Sequence, residues 1–488
     1  MKRFKNRNDI PEKYKWDLTK IYEDIASWNN DYSNVKKKLS TIESYKGRIC
    51  SNDVTLLEFL TLNDEIERNI YRLYYYAHLN FDSETTNIKY QELKGKMDDL
   101  LVDYNIKTSF INSEMLNTDY NVIKKYIDNN SELETYKHNL EDIYRYQNHH
   151  LSEEQRKVLS SLSNVLSSPE EIFESLTDSD LKFGNIKDEN NEDVEFTESN
   201  WAVYSKSKNR RVRKDAFNML YNTYANYKNT IANTFSKNVD YNVNMAKLLN
   251  FNSSLEKSLY NDTVDKKVYN NLIDTIHKNM DVIYKYFDLK KEVLNVDEFH
   301  LYDVYADLID SSNKEYTFEQ AKDIVLNALS ILGDDYIENL KRAFNERWID
   351  VYNNDGKRGG AYSSGFYDTN PYVLLNFEGR FEDVSTLAHE LGHSMHTLYS
   401  CKNNTYNNSS YQIFVAEVAS TVNELLLRMY LLNNTKDPKE KLSIINSLLE
   451  LFKSTIYRQV MFAEFERNMH QDKENGIVLT NEYLSNKY

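Results

Sequence analysis

Asp383-Val384-Ser385-Thr386-Leu387-Ala388-His389-Glu390-Leu391-Gly392-His393-Ser394-Met395-His396 is the stretch on which the reading of this 488-residue chain turns. Leu387, Ala388 and Leu391 support a helix, and Glu382 or Asp383 suits its N-terminus. On a helix His389 and His393 stand at i and i+4, so their side chains share one face. Two neutral imidazoles at that spacing can bind one zinc ion. Glu390 projects roughly 100° around the helix from His389, beside such a metal but not as a ligand. With ten histidines in the chain, a chance His-Glu-x-x-His has a probability of about 1%.

A catalytic zinc usually has three protein ligands and one open position. The metzincin pattern is excluded, because His396 and Tyr399 stand where that class has Gly and a third His. A second helix is expected over Tyr411-Gln412-Ile413-Phe414-Val415-Ala416-Glu417-Val418-Ala419-Ser420-Thr421-Val422-Asn423-Glu424-Leu425. Glu417, Ser420, Thr421 and Glu424 form a polar stripe on it, and Val415, Val418, Val422 and Leu425 supply apolar surface. Beside a zinc helix, such a stripe points to Glu417 as third ligand and to Glu424 as a carboxylate orienting a histidine. The competing reading of Glu424 is a solvated acid. His396 is read as a nearby polar or core histidine rather than a ligand.

Just upstream the helical pattern breaks. Asp355-Gly356-Lys357-Arg358-Gly359-Gly360 holds three of the eleven glycines. Ala361-Tyr362-Ser363-Ser364-Gly365-Phe366-Tyr367-Asp368 and Pro371-Tyr372-Val373-Leu374-Leu375-Asn376-Phe377 follow, giving strand, turn, strand. Pro371 suits an edge strand or a strand's first residue. An edge strand can pair with an extended peptide, and Gly360, Ala361, Tyr362, Leu374, Leu375 and Asn376 are its candidate substrate-strand residues. The alternative is a purely structural sheet edge.

Elsewhere the chain reads as mainly α. Four prolines and eleven glycines in 488 residues favour long uninterrupted helices. Ile123-Lys124-Lys125-Tyr126-Ile127 has helical spacing. Ser168-Pro169-Glu170-Glu171 reads as a helix start with Ser168 as cap and Pro169 in the first position. Residues 197–296 read as almost continuous helix, broken near Asn250 and Asp262. No repeat or low-complexity linker divides the chain, and soft boundaries are placed near residues 115 and 195.

A net charge of -16 argues against nucleic acid as the main partner. The basic run Lys206-Ser207-Lys208-Asn209-Arg210-Arg211-Val212-Arg213-Lys214 is read as a solvated helix start or loop. No segment approaches the ~18 consecutive apolar residues of a membrane span. The basic N-terminus is not followed by the apolar core of a secretory signal. Cys50 and Cys401 lie far apart and in no Cys-x-x-Cys pair, so a reducing cytoplasm is the expected location.

With these residues in place the sequence resembles oligoendopeptidase F, of the thimet oligopeptidase superfamily of zinc metallopeptidases. The likeness covers nearly the whole chain. It begins at Ile10-Pro11-Glu12-Lys13-Tyr14-Lys15-Trp16-Asp17-Leu18 and takes in His300-Leu301-Tyr302-Asp303. Its strongest stretch runs from Gly360 through Asn376 to His396. Phe414-Val415-Ala416-Glu417-Val418-Ala419-Ser420-Thr421 and Tyr457-Arg458-Gln459-Val460-Met461-Phe462-Ala463-Glu464-Phe465-Glu466 complete it.

The resemblance implies a large helical body around a deep substrate channel, with a small β-sheet next to the zinc helix. Its regions are an N-terminal helical part over 1–115, an oligopeptidase F N-terminal-type domain over 116–195 and a zinc peptidase domain over 196–488. It maps one zinc ion onto His389, His393 and Glu417, and the general base that activates water onto Glu390. It implies short oligopeptides as substrates. The family also continues beyond the position of Tyr488, in a segment bearing a histidine and tyrosines that bind the substrate carbonyl and its oxyanion. Thr480 or Asn481 reads as a new helix cap close to that end. The expectation is therefore a chain that binds zinc but turns over slowly unless a separate polypeptide supplies those donors. The alternative is a zinc- or peptide-binding remnant with little catalysis of its own.

Overall fold

A computed structural model of the protein describes residues 4–198, 200–309 and 314–488. The architecture is mainly α-helical with two small sheets. The chain forms two compact units, Met1–Gln147 with Asn313–Asn434, and Asn148–Ser312 with Thr435–Tyr488. Among the described residues, no helix is long and apolar enough to cross a membrane.

The first unit carries the motif. Its N-terminal helices are α1 (Ile25–Ile42), α2 (Asp53–Ser83) and α3 (Ile88–Thr108). Asp24 and Asn52 cap α1 and α2 by accepting from the backbone N–H groups of Ser27 and Thr55, so the helices start where a side-chain oxygen satisfies free amides. The apolar faces of these helices bury Trp28, Leu39, Leu56, Ile66 and Leu73. Each such side chain removed from water stabilises the unit by about 1.5–3 kcal/mol.

Later in the chain the unit adds α4 (Phe318–Ala328), α5 (Asp334–Asn345), β1 (Ile349–Asp350), β2 (Tyr362–Ser364), β3 (Tyr372–Leu374), α6 (Phe381–Asn403) and α7 (Ile413–Asn434). The sheet order is β1-β3-β2. β1 runs parallel to β3, and β2 antiparallel to it with Tyr362 opposite Leu374, Ser363 opposite Val373 and Ser364 opposite Tyr372. The early motif around Trp16 belongs to this core. The Val351 N–H donates to the Tyr14 carbonyl, the Asp17 N–H to the Arg347 carbonyl, and the Tyr372 hydroxyl to the Asp17 carbonyl.

Two expectations need correction here. Pro371 stands at the start of β3, as one of its two alternatives had it, but the edge-strand alternative fails, because β3 is the central strand and the edge nearest the motif belongs to β2. Leu374 and Leu375 are accordingly buried. Their strand is paired on both sides, so neither can offer a free backbone edge to a peptide.

The second unit is built from helices that include Arg210–Asn226, Lys228–Leu248, Pro438–Phe452 and Arg458–Glu474, with an antiparallel ribbon of Asn185–Lys187 and Asp193–Glu195. The expected breaks occur: Asn250 and Thr263 adopt left-handed backbone, at φ 57° and 54°. The helix start at Pro169 does not. Pro169 lies inside a helix over Ser163–Glu174. The proline has no N–H for the Val165 carbonyl, and the Ser168 hydroxyl donates to that carbonyl instead, at 2.7 Å. The basic run opens a helix as expected, capped by Asn209, but Arg213 is buried and not solvated. It pairs with buried Asp303 at 2.7 Å, and Arg210 pairs with the same carboxylate at 2.9 Å.

Candidate metal centre

α6 begins where Asp383 turns back to accept the backbone N–H groups of Arg380 and Glu378. Val384, Leu387, Ala388, Leu391 and Met395 are buried on the helix, which fixes its rotation and turns His389 and His393 toward α7. The two helices approach unusually closely. A Cβ on Gly392 would lie 2.7 Å from the Ser420 Cα and 2.8 Å from the Ala419 carbonyl oxygen. Only a residue without a side chain fits that crossing. Buried Asn423 of α7 also donates to the Ala388 carbonyl at 3.0 Å.

This crossing brings Glu417 to the two histidines. His389 Nε2 and His393 Nε2 are 3.2 Å apart, and each lies close to Glu417 Oε2, at 3.4 and 3.5 Å. The three donors form a nearly equilateral triangle. A tetrahedral zinc with ligand bonds near 2.05 Å requires donors about 3.3 Å apart. The donor set, two imidazoles and one carboxylate, suits the same ion, so the residues present fit a zinc site. The Ser420 hydroxyl donates to Glu417 Oε2 at 2.7 Å and steadies the third donor.

Glu424, two turns farther along α7, pairs with a histidine. His389 donates from Nδ1 to Glu424 Oε1 at 2.7 Å, which leaves the Nε2 lone pair facing the triangle. Glu424 is itself held by the Ser385 hydroxyl and by Arg428 Nη1, both at 2.9 Å. Burial would raise the Glu424 pKa, but the hydrogen bond from His389 and the charge of Arg428 keep it below the ordinary glutamate value. Burial disfavours the charged form of His389 as well, yet the bond to Glu424 and the surrounding carboxylates raise its pKa above the usual value. At His393 burial prevails and the pKa is lowered.

Glu390 is buried, and burial pushes its pKa up to about 7, with the negative charge of Glu417 adding to the rise and His389 opposing it. A buried carboxyl raised in this way beside three converging donors can accept and return a proton. On the same helix the Ser394 hydroxyl is 2.8 Å from that of Ser363 in β2, which ties the edge strand to α6. Gly360 and Ala361 lead into β2 and Tyr362 begins it. Asn376 follows β3, and its Nδ2 donates to the carbonyls of Arg358 and Gly360. His396 lies on the same helix face but outside the triangle. It stacks on Tyr411 at 3.7 Å, and burial lowers its pKa.

Several supporting residues escaped the sequence reading. Arg428 stands four residues after Glu424, an acid-to-base spacing that helices favour, and so was detectable. Ser385 and Ser394 look like ordinary helix serines, and only the crossing shows what they hold. α7 also buries Ser420, Asn423, Glu424 and Arg428 and leaves apolar residues outside: Phe414, Val418 and Val422 are 61%, 57% and 40% exposed.

A peptidase family M3 model matches residues 203–488, and an oligopeptidase F model matches residues 114–183. Oligopeptidase PepF of Bacillus subtilis is 40% identical over 483 residues, covering 99% of this chain and 72% of the relative. The oligoendopeptidase F homolog of Lactococcus lactis is 37% identical, covering 99% and 80%. A solved structure from Chlamydophila abortus superposes with a TM-score of 0.89 at 36% identity, covering 99% of this chain and 82% of that one. Oligoendopeptidase-F from Enterococcus faecium gives a TM-score of 0.68 at 29% identity, covering 95% and 79%. The chain belongs to peptidase family M3, as an oligopeptidase of the oligopeptidase F type.

Proposed function

We propose that the chain is a zinc metalloendopeptidase that hydrolyses peptide bonds within short oligopeptides. The observation that carries this is the donor triangle of His389, His393 and Glu417 with Glu390 beside it. Zinc held by those three residues supplies Lewis acidity toward a carbonyl and toward water. Glu390 takes a proton from the attacking water and delivers it to the leaving amine. Burial raises its pKa in the metal-free protein, and the charge of a bound zinc would oppose that rise and favour the proton-accepting carboxylate. Glu424 sets the tautomer of His389, and Ser420 aims Glu417.

The free edge of β2 offers backbone groups to an extended substrate. Gly360, Ala361 and Tyr362 lie along that approach. The two cysteines are unpaired, in keeping with the proposed reducing, cytoplasmic setting.

The test is hydrolysis of a fluorogenic oligopeptide by wild-type protein and by Glu390→Gln, each with and without chelator and after zinc is restored. Wild type should lose activity to the chelator and regain it with zinc. Glu390→Gln should retain zinc and lose at least about 10²-fold in kcat. Cleavage by Glu390→Gln at the wild-type rate would overturn the assignment.

A further inference from the structure

We propose that Asp82, at the C-terminal end of α2, is a positioning residue for the peptide-binding edge strand. This rests on the peptidase reading above and deepens it. β2 is only three residues long and is paired on one side. A strand that short cannot hold a free edge in register by its own ladder. Successive side chains on a strand point to opposite faces, and β2 is held on both. On one face Ser363 meets Ser394 of α6. On the other the Tyr362 hydroxyl donates to Asp82 Oδ2 at 2.8 Å.

Asp82 is only 1% exposed. A carboxylate is costly to bury unless its oxygens are well supplied with donors. Arg358 Nη1 lies 3.3 Å from Oδ2, and His78 Nε2 lies 3.2 Å from the same oxygen. Both Tyr362 and Arg358 come from the segment that leads into and forms the edge strand. The backbone repeats the pattern. The Arg358 N–H donates to the Asp82 carbonyl at 2.9 Å, and the Thr85 N–H and hydroxyl both donate to the Gly356 carbonyl. Asn354 Nδ2 donates to the Ser83 carbonyl at 3.2 Å. The end of α2 therefore clamps the whole approach to β2, and Asp82 is the point at which the clamp reaches the strand itself.

Asp82 itself touches none of His389, His393, Glu417 and Glu390, whereas Ser363 of β2 presents its backbone to the Glu390 carboxylate and its partner Ser394 donates to the Glu390 carbonyl. Loosening the clamp should weaken peptide binding while sparing the metal donors, which α6 and α7 hold. The variants are Tyr362→Phe and Asp82→Asn, with Tyr136→Phe as a control that removes a tyrosine bond of the same length to Asp64 elsewhere in the unit. Zinc content, peptide kinetics and amide hydrogen exchange over residues 361–364 are measured in each. Affinity for a dye-labelled decapeptide is measured by anisotropy in the Glu390→Gln background. With zinc content unchanged, Tyr362→Phe and Asp82→Asn should raise KM and the anisotropy Kd about tenfold and speed exchange in β2. Tyr136→Phe should do none of these, and the double variant should be no worse than the weaker-binding single one. Unchanged peptide affinity in Tyr362→Phe, or equal weakening by Tyr136→Phe, overturns the assignment. If wild type binds the decapeptide but does not cleave it, the peptidase reading fails while the clamp is still tested by anisotropy and exchange.

Discussion

Replacing Gly392 by Ala sets two physical effects against each other. Helix propensity alone predicts a gain of up to about 1 kcal/mol, because alanine is the better helix former. The crossing of α6 and α7 predicts the opposite. The new Cβ would stand 2.7 Å from the Ser420 Cα, 2.8 Å from the Ala419 oxygen and 2.9 Å from the Ala419 carbonyl carbon, where ordinary contact begins near 3.4 Å. All three atoms are backbone, so no rotamer change relieves the clash, and α7 must withdraw by 0.7 Å, the difference between 3.4 and 2.7 Å. Overpacking of this kind costs about 1–3 kcal/mol, which exceeds the propensity gain. Glu417 lies one turn from Ser420 and moves with it. Its carboxylate is 3.4 and 3.5 Å from the two imidazole nitrogens, and metal sites tolerate errors of only about 0.2 Å. Zinc affinity should therefore fall about 10- to 100-fold, comparable to losing an orienting partner. The assay is zinc competition against a chromophoric chelator, together with urea unfolding of the metal-free protein. A Gly392→Ala variant that is more stable than wild type and binds zinc within twofold would refute the reasoning.

Removing the Glu424 charge by Glu424→Gln should weaken zinc about 10- to 100-fold by loosening His389, read in the same competition assay, and should remove the carboxylate charge that faces buried Arg428. Asp350 is buried between Arg7 and Lys357; burial would raise its carboxyl, but the two cations hold it below the ordinary value of 3.8. Because the folded pKa is depressed, its stabilisation is present above the unfolded value of about 3.9 and is lost as pH falls below that. Asp350→Asn should thus cost about 3–5 kcal/mol near neutrality by leaving two buried cations unpaired, and the gap to wild type in urea unfolding should narrow below pH about 4. A constant gap down to pH 2 would sink that account.

How much of this was legible beforehand follows from which interactions are local. The spacing of His389 and His393 and the stripe of Glu417 and Glu424 are properties of single helices, so period 3.6 reveals them without knowledge of the fold. Strand, turn and strand between residues 360 and 377 were legible from glycines, Pro371 and a run of β-forming, largely aromatic residues. Which strand is the free edge was not, because strand order is decided by β1, whose two residues carry no pattern. Pro169 misled for a related reason: the helix start it suggests was overridden by a helix that continues through it, with Ser168 taking the orphaned carbonyl.

By itself the sequence determined the helical class, the two histidines on one face of a helix and the stripe of Glu417 and Glu424 on another, since each depends on residues within two or three turns. Only the tertiary structure decided that α6 and α7 cross at Gly392, that the three donors stand 3.2 to 3.5 Å apart, and that Asp82 reaches across 280 residues to hold Tyr362. Those depend on close packing between distant segments, where distances of a few tenths of an ångström matter and no local periodicity records them.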